Sequence, residues 1–166
     1  MRRAAGIVLL MSAALLQVTL APRLAVGGGF PNLVLLFAVC ATWNLGVRSG
    51  MAWACAGGIA LDLMSPGPVG PHALAVLAAA YVAGFWTRNA GRHEPAHAAM
   101  AAAAGTLVYS MVVVVSGAMT QMPVPSVAVS AQLVAMSAAY NAALMPAALI
   151  VSRRLAPARP AEPGLA

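Results

Sequence analysis

Apolar residues fill this chain in long runs, and short breaks rich in Gly and Pro interrupt them. Six apolar segments follow, at residues 4–20, 30–45, 50–64, 72–86, 97–117 and 126–152. A helix that crosses a bilayer needs about 20 predominantly apolar residues, with ~17 to 25 as the usual range. The pattern therefore predicts six such helices. The second, third and fourth are short for the task. They are expected to tilt little, to thin the bilayer locally, or to be partly re-entrant within the protein. The breaks have clear chemistry. Gly27, Gly28, Gly29 and Pro31 separate the first two segments, and residues 46–50 form a tight turn. Residues 65–71, SPGPVGP, cannot continue a helix, because proline fixes φ and lacks an amide donor. Residues 91–95 divide the fourth and fifth segments, and Pro123 and Pro125 divide the fifth and sixth. The Pro/Ala-rich end, 156–166, reads as a disordered tail.

Composition turns these candidates into a class. The chain has 166 residues, 62% of them hydrophobic and 7% charged, with a mean hydropathy of +0.88. A soluble domain carries about 25% charged residues. This chain could not cover a water-facing surface, and its length fits one compact membrane bundle without a second domain. The two thiols, Cys40 and Cys55, lie in separate apolar segments with no neighbouring His/Cys cluster. They read as small buried hydrophobes rather than a disulfide or zinc site.

The formal charge of +6 comes from nine arginines; lysine is absent. They sit at the chain ends and between apolar segments, not on one face. This is the distribution of topology signals and argues against nucleic-acid binding. With the N-terminus inside, Arg2, Arg3, Arg48, Arg88, Arg92, Arg153, Arg154 and Arg159 fall on the inner side and Arg23 alone on the outer side. That asymmetry predicts cytoplasmic N- and C-termini and an even number of crossings. A cleavable signal peptide is the rival reading of residues 1–21, but Pro22 directly after the only plausible cut disfavours it.

Few residues remain to carry chemistry. Asp62 is one of three acidic residues. A carboxylate at the centre of a crossing helix costs roughly 2.5 to 3.5 kcal/mol, and less near an interface. Asp62 also falls near the C-terminal end of its segment, where the helix dipole opposes negative charge. It therefore needs a partner. The candidates are His72, the free amides that open the fourth segment, and Arg23. A carboxylate clamping the third and fourth segments is the preferred reading, ahead of a partner-protein contact and of a proton relay. His72 itself reads as a polar contact where loop meets helix. His93, Glu94 and His97 spell H-E-x-x-H, but Pro95 lies inside it and no third ligand is apparent, so a metal site is rejected. Gln17, Asn44, Gln132, Tyr140 and Asn141 are neutral polar groups inside apolar segments, where such groups hydrogen-bond across helices. Small residues around Gly57, Gly58 and residues 98–105 suit close helix approach. No nucleophile with a base, no phosphate loop and no cofactor motif can be assembled.

The order of short motifs adds a resemblance. LLQVTLAPRL (15–24), FPNLVLLFAV (30–39), the stretch 57–84 around LDLMSPGPVG, and YNAALMPAALIVSRRL (140–155) follow one another along nearly the whole chain. In this order they resemble the rod shape-determining protein MreD family. The matching positions are Gln17, Pro31 and Asn32; Gly58, Asp62, Leu63 and Ser65; Gly70 and Leu74; and Asn141, Leu144, Pro146, Arg153 and Arg154. The three prolines of SPGPVGPH, and Pro71 before His72, depart from the family pattern and make this loop stiffer.

The resemblance implies an all-α, six-helix transmembrane bundle in the bacterial inner membrane. It implies an architecture similar to the substrate-binding components of energy-coupling-factor transporters. It further implies a scaffold without catalysis or cofactor that docks MreC. Through MreC it would link the actin-like MreB filament to a peptidoglycan transpeptidase and its glycosyltransferase. The expected partner-contact or structural positions are Gln17, Pro31, Asn32, Gly58, Asp62, Gly70, His72, Asn141 and Pro146. Two other classes compete. A small-molecule-binding component of a transporter would need an enclosed pocket, which nine aromatic residues line sparsely. A lipid-processing enzyme would need an acidic cluster.

Overall fold

A computed structural model describes residues 2–89, 95–120 and 125–155. Six α-helices occur among these residues: α1 (Arg2–Thr19), α2 (Leu33–Leu45), α3 (Val47–Met64), α4 (Pro71–Asn89), α5 (Pro95–Met119) and α6 (Val127–Leu155). A short 3-10 turn at Ala21–Leu24 follows α1, and no strand is present beyond an isolated bridge between Val26 and Gly29. Two stretches are long and apolar enough to cross a membrane, Ala96–Met119 and Val127–Arg154. Ala4–Thr19 and Leu33–Leu45 are shorter apolar helices. The predicted tail, His93 and Glu94 lie outside the described residues.

Several boundaries differ from the sequence expectation, for physical reasons. The second helix starts at Leu33 rather than residue 30, because Asn32 adopts an extended conformation and caps it. The expected turn over residues 46–50 is a single residue. Gly46, at φ +89°, reverses the chain alone, and α3 begins at Val47. Pro71 and Pro95, assigned to breaks from the sequence, are the first residues of α4 and α5. Proline is tolerated there, because the first helical amide has no intrahelical acceptor. In α6, Pro146 sits within the helix, where it removes the bond that the Ala142 carbonyl would otherwise accept.

The second helix is the axis of the molecule. It packs against all five other helices, whereas α1 packs mainly on α2 and α3, and α6 on α5 and α2. Nine consecutive α2 residues apart from Phe37 are buried, from Val34 to Trp43, so the helix is apolar on every side, as an enclosed helix must be. It divides two core clusters. Leu35, Leu36, Val39 and Trp43 pack with Ala79, Ala83, Ala98, Ala101, Met145 and Leu149 on one side. Val34 and Ala38 pack with Leu10, Ala14, Ala54, Leu61 and Val76 on the other. Alanine dominates the α4 and α5 contributions, which lets their backbones approach closely. The outer surface is the reverse of a soluble protein's. Large apolar side chains such as Ile7, Leu63, Tyr81, Phe85, Met111 and Val127 are exposed on every helix except the enclosed α2.

Neighbouring helices run antiparallel in chain order. Arg48, Arg88, Arg153 and Arg154 therefore gather at one end of the bundle. The final turns of α1, α3 and α5 gather at the other, with Arg23.

Gly50 marks the tightest helix crossing near the arginine end. A methyl group there would collide with Thr42 Oγ1 and stand 2.6 Å from Thr42 Cα. Substituting alanine raises helix propensity by up to about 1 kcal/mol, but overpacking against backbone costs about 1–3 kcal/mol, and no rotamer relieves it. Gly50→Ala is therefore expected to lower the thermal midpoint of the detergent-solubilised chain. Ala52→Leu, on an exposed position of α3, should leave that midpoint within a degree or two; Trp fluorescence during heating reads both.

Candidate functional site

The polar residues of the sequence converge at the end of the bundle opposite the arginines, where they cap the helices that begin there. A helix leaves its first amide donors without intrahelical acceptors. In α4 these donors belong to Gly70, at the cap position, and to His72 and Ala73; Pro71 has none. All three are accepted by Asp62, which reaches across from the last turn of α3. Its Oδ2 accepts from Gly70 N at 2.9 Å and Ala73 N at 3.0 Å, and its Oδ1 from His72 N at 2.9 Å. His72 Nδ1 lies a further 2.9 Å from Oδ1. The carboxylate side chain is fully enclosed, and the imidazole is 27% exposed. Asp62 thus acts as the N-cap of a neighbouring helix. Its charge opposes the dipole of its own helix and complements that of α4.

Two glycines make the arrangement possible. Gly58 lies one turn before Asp62 on the same face of α3. A Cβ there would stand 2.9 Å from Ala73 N and from the His72 carbonyl oxygen, and closer still to Ala73 Cα. Without it the two helices could not approach. Gly70, at φ +129°, takes a backbone conformation that side chains disfavour and turns its amide onto the carboxylate.

The start of α2 repeats the device with neutral groups. Pro31 is fully buried and carries no donor. Asn32 N donates to Asn141 Oδ1 of α6 at 2.8 Å. Leu33 N donates to Gln17 Oε1 of α1 at 2.6 Å, and Leu35 N to the Asn32 side chain at 3.0 Å. Asn141 also donates to Thr106 Oγ1 at 2.9 Å, and Thr106 donates to the Ala102 carbonyl at 2.7 Å. Asn141 is completely enclosed, so it joins α2, α5 and α6 away from solvent. Around this corner the Val26–Gly29 turn closes on itself through two backbone bonds, and Phe30 N donates to Ser137 Oγ of α6 at 3.3 Å.

Tyr109 of α5 stands between the two networks. It lines one cavity wall together with Asn32, and its ring centroid lies 6.2 Å from that of His72. Two adjoining cavities open here. One, about 220 Å3, is lined by the 65–68 loop, Pro71, His72 and the last turns of α5. The other, about 230 Å3, is lined by Phe30, Asn32, Thr106, Tyr109, Ser130, Ser137 and neighbours. Each falls below the roughly 300 Å3 at which ligand pockets begin. Most polar groups of their walls are already engaged within the protein: Thr106, Ser137 and Asn32 as above, and Ser130 with the Pro125 carbonyl.

Eight of the nine expected residues are brought together in this way: Gln17, Pro31, Asn32 and Asn141 in one network, and Gly58, Asp62, Gly70 and His72 in the other. Pro146 lies apart, more than a turn beyond Asn141 along α6. Of the three partners weighed for Asp62, His72 and the α4 amides are in contact; Arg23 is exposed on the turn after α1. Thr106 and Tyr109 were missed by sequence reasoning. Their signal was faint: a lone hydroxyl after a run of alanines, and the one Tyr, Phe or Trp of α5. Among the described residues, no three His, Cys, Asp or Glu side chains converge where they could hold a metal.

A family model described as rod shape-determining protein MreD matches residues 1–154. The chain belongs to the MreD family. No curated protein and no solved structure matched it significantly. Membership fits a part in rod-shape determination, in a family of membrane proteins that is not a known enzyme family. The motif order along this MreD chain therefore has a structural counterpart: eight of the matching or neighbouring positions, from Gln17 to Asn141, hold the N-termini of α2 and α4.

Removing the carboxylate tests the capping role. Asp62→Ala leaves three amides of one helix start without acceptors, and loss of a cap alone costs about 0.5–2 kcal/mol. We expect Asp62→Ala to destabilise the folded chain by at least about 2 kcal/mol, read by denaturant unfolding in mixed micelles. Arg23→Ala, at the same end but outside the network, should change it by less than about 0.5 kcal/mol.

Proposed function

We propose that this MreD chain is a non-catalytic scaffold of the cell-elongation machinery that crosses the bacterial inner membrane six times and docks MreC. The observation that carries the reading is the combination of family membership with a bundle whose polar groups are engaged in holding its own helices. A catalytic or transport site needs polar groups held ready for a substrate; here Asp62, Asn32, Asn141 and Gln17 are committed to amides. The scaffold would present its apolar outer faces to a partner's crossing helix and to lipid. Through MreC it would couple the inner MreB filament to the outer transpeptidase and its glycosyltransferase.

The six-crossing arrangement is supported by the exposed apolar side chains and by the arginine distribution. The 13 residues of α2 rise only about 20 Å, against a hydrocarbon core of about 30 Å. The extended segment at Phe30–Asn32 would complete the crossing. Backbone without helical bonds is tolerated at membrane depth only where protein groups satisfy it, and Asn141, Gln17 and Ser137 accept its donors and those of the first helical residue. A likeness to energy-coupling-factor binding components would follow from the same six-helix plan. The transporter reading itself is disfavoured by the small cavities and their engaged walls.

Co-purification tests this. Tagged chain and the cognate MreC, expressed together and extracted in mild detergent, should elute as one complex. Asp62→Ala should weaken that association. Absence of any complex, in a preparation whose melting transition shows folded protein, refutes the scaffold reading. Reporter fusions should place both termini in the cytoplasm; a periplasmic terminus refutes the topology.

A further inference from the structure

The arginine end carries a second surface that the scaffold reading leaves unused. Arg48 opens α3 and Arg88 closes α4, and both are exposed. The two helix ends are in contact: a Cβ on Gly84 would stand 3.0 Å from both methyls of Val47. Arg48 directly follows Val47, and Arg88 lies one turn beyond Gly84. Arg153 and Arg154 close α6 on the other side of α2, where Asn44 Nδ2 donates to Ser152 Oγ at 2.9 Å. The only carboxylate among the described residues, Asp62, lies at the opposite end and is engaged with amides. Among the described residues, the cationic end therefore carries no carboxylate.

Directly beneath these arginines the surface is apolar. Tyr81 and Phe85 are 64% and 62% exposed and precede Arg88 on the outer face of α4; Ile150 and Val151 are likewise exposed before Arg153. A cationic rim continuous with an apolar wall matches an amphiphile with a phosphate head and hydrocarbon tails. An acidic protein would have no use for the wall. All nine basic residues are arginine, whose planar fork binds phosphate oxygens in pairs. We propose that the α3–α4 corner binds the headgroup of an anionic phospholipid, with Arg48 and Arg88 gripping the phosphate and the tails lying along Tyr81 and Phe85. This rests on the membrane-crossing reading above.

Native mass spectrometry of the detergent-purified full chain tests the proposal with phosphatidylglycerol, phosphatidylcholine and inorganic phosphate as probes. Each arginine near an anionic headgroup contributes about fivefold in affinity. Arg48→Gln combined with Arg88→Gln should therefore weaken phosphatidylglycerol retention about twenty-five-fold and leave phosphatidylcholine unchanged. Arg23→Gln, at the far end, should change neither. If the double glutamine variant fails to fold, the Arg48→Lys, Arg88→Lys pair keeps the charge and loses the fork; it should retain an intermediate amount of lipid. Equal retention of both lipids by the wild-type chain overturns the proposal, as does undiminished phosphatidylglycerol retention in the lysine pair. Inorganic phosphate binding as tightly as the lipid assigns the corner to a free anion and also overturns it. A chain released from membranes by carbonate without detergent would instead refute the membrane-crossing reading. A chain that needs detergent yet shows no anionic preference refutes only the lipid site.

Discussion

Every helix begins with amide donors that its own carbonyls cannot reach, and inside an apolar bundle no water is at hand to take them. Three helices of this chain, α2, α4 and α6, begin at the same end of the bundle, and the first two find acceptors on other helices. The start of α4 is held by Asp62 of α3, and the start of α2 by Gln17 of α1 and Asn141 of α6, with Asn32 completing the cap. Prolines occupy positions flanking these caps, Pro31 and Pro71, and thereby remove donors that would otherwise need serving. The constraint explains why a chain with three acidic residues places one of them in its apolar interior. Hydrogen bonds to a charged group contribute about 1.5–3 kcal/mol each. Three amides and an imidazole on one carboxylate offset the cost of enclosing it.

The caps also organise the packing. Because Asp62 must reach the first turn of α4, that turn has to lie against α3, and Gly58 supplies the room. Because Asn32 and Leu33 are held by α6 and α1, α2 is fixed between them and becomes the axis shared by both core clusters. Tyr109 stands between the two caps, beside Asn32 and the His72 ring. Side chains from α1 through α6 thus meet at one end. Most polar groups at that end are engaged with one another. Eight of the MreD motif positions, read this way, build the helix starts of α2 and α4.

Much of this was legible from residues. The six apolar segments foretold six helices, and the conflict between Asp62 and the dipole of its own helix pointed to the amides of α4. Other features lay beyond local sequence. Nothing near Asn32 indicates that its partner stands 109 residues away on α6; Asn32 reads as a motif position beside Pro31, and Asn141 as a motif position and a polar group awaiting bonds. Thr106 resembles any hydroxyl that bonds back to its own helix, and it does so, to Ala102; its second role depends on where α6 lies. Residues 46–50, bounded by Gly46 and Gly50, read as a tight turn. Only the first makes the turn, while the second admits the close approach of Thr42. Turn residues and packing residues carry the same letter, and tertiary distance decides between them.

Amide hydrogen exchange of the folded chain in detergent tests the central claim most directly. If the Asp62 carboxylate caps α4, the amides of Gly70, His72 and Ala73 exchange as slowly as interior α4 amides such as Ala79, and Asp62→Asn accelerates all three while Ala79 stays protected. Exchange of these amides at the rate of an open Pro/Gly loop in the wild-type chain, or rates indifferent to the substitution, would contradict the account.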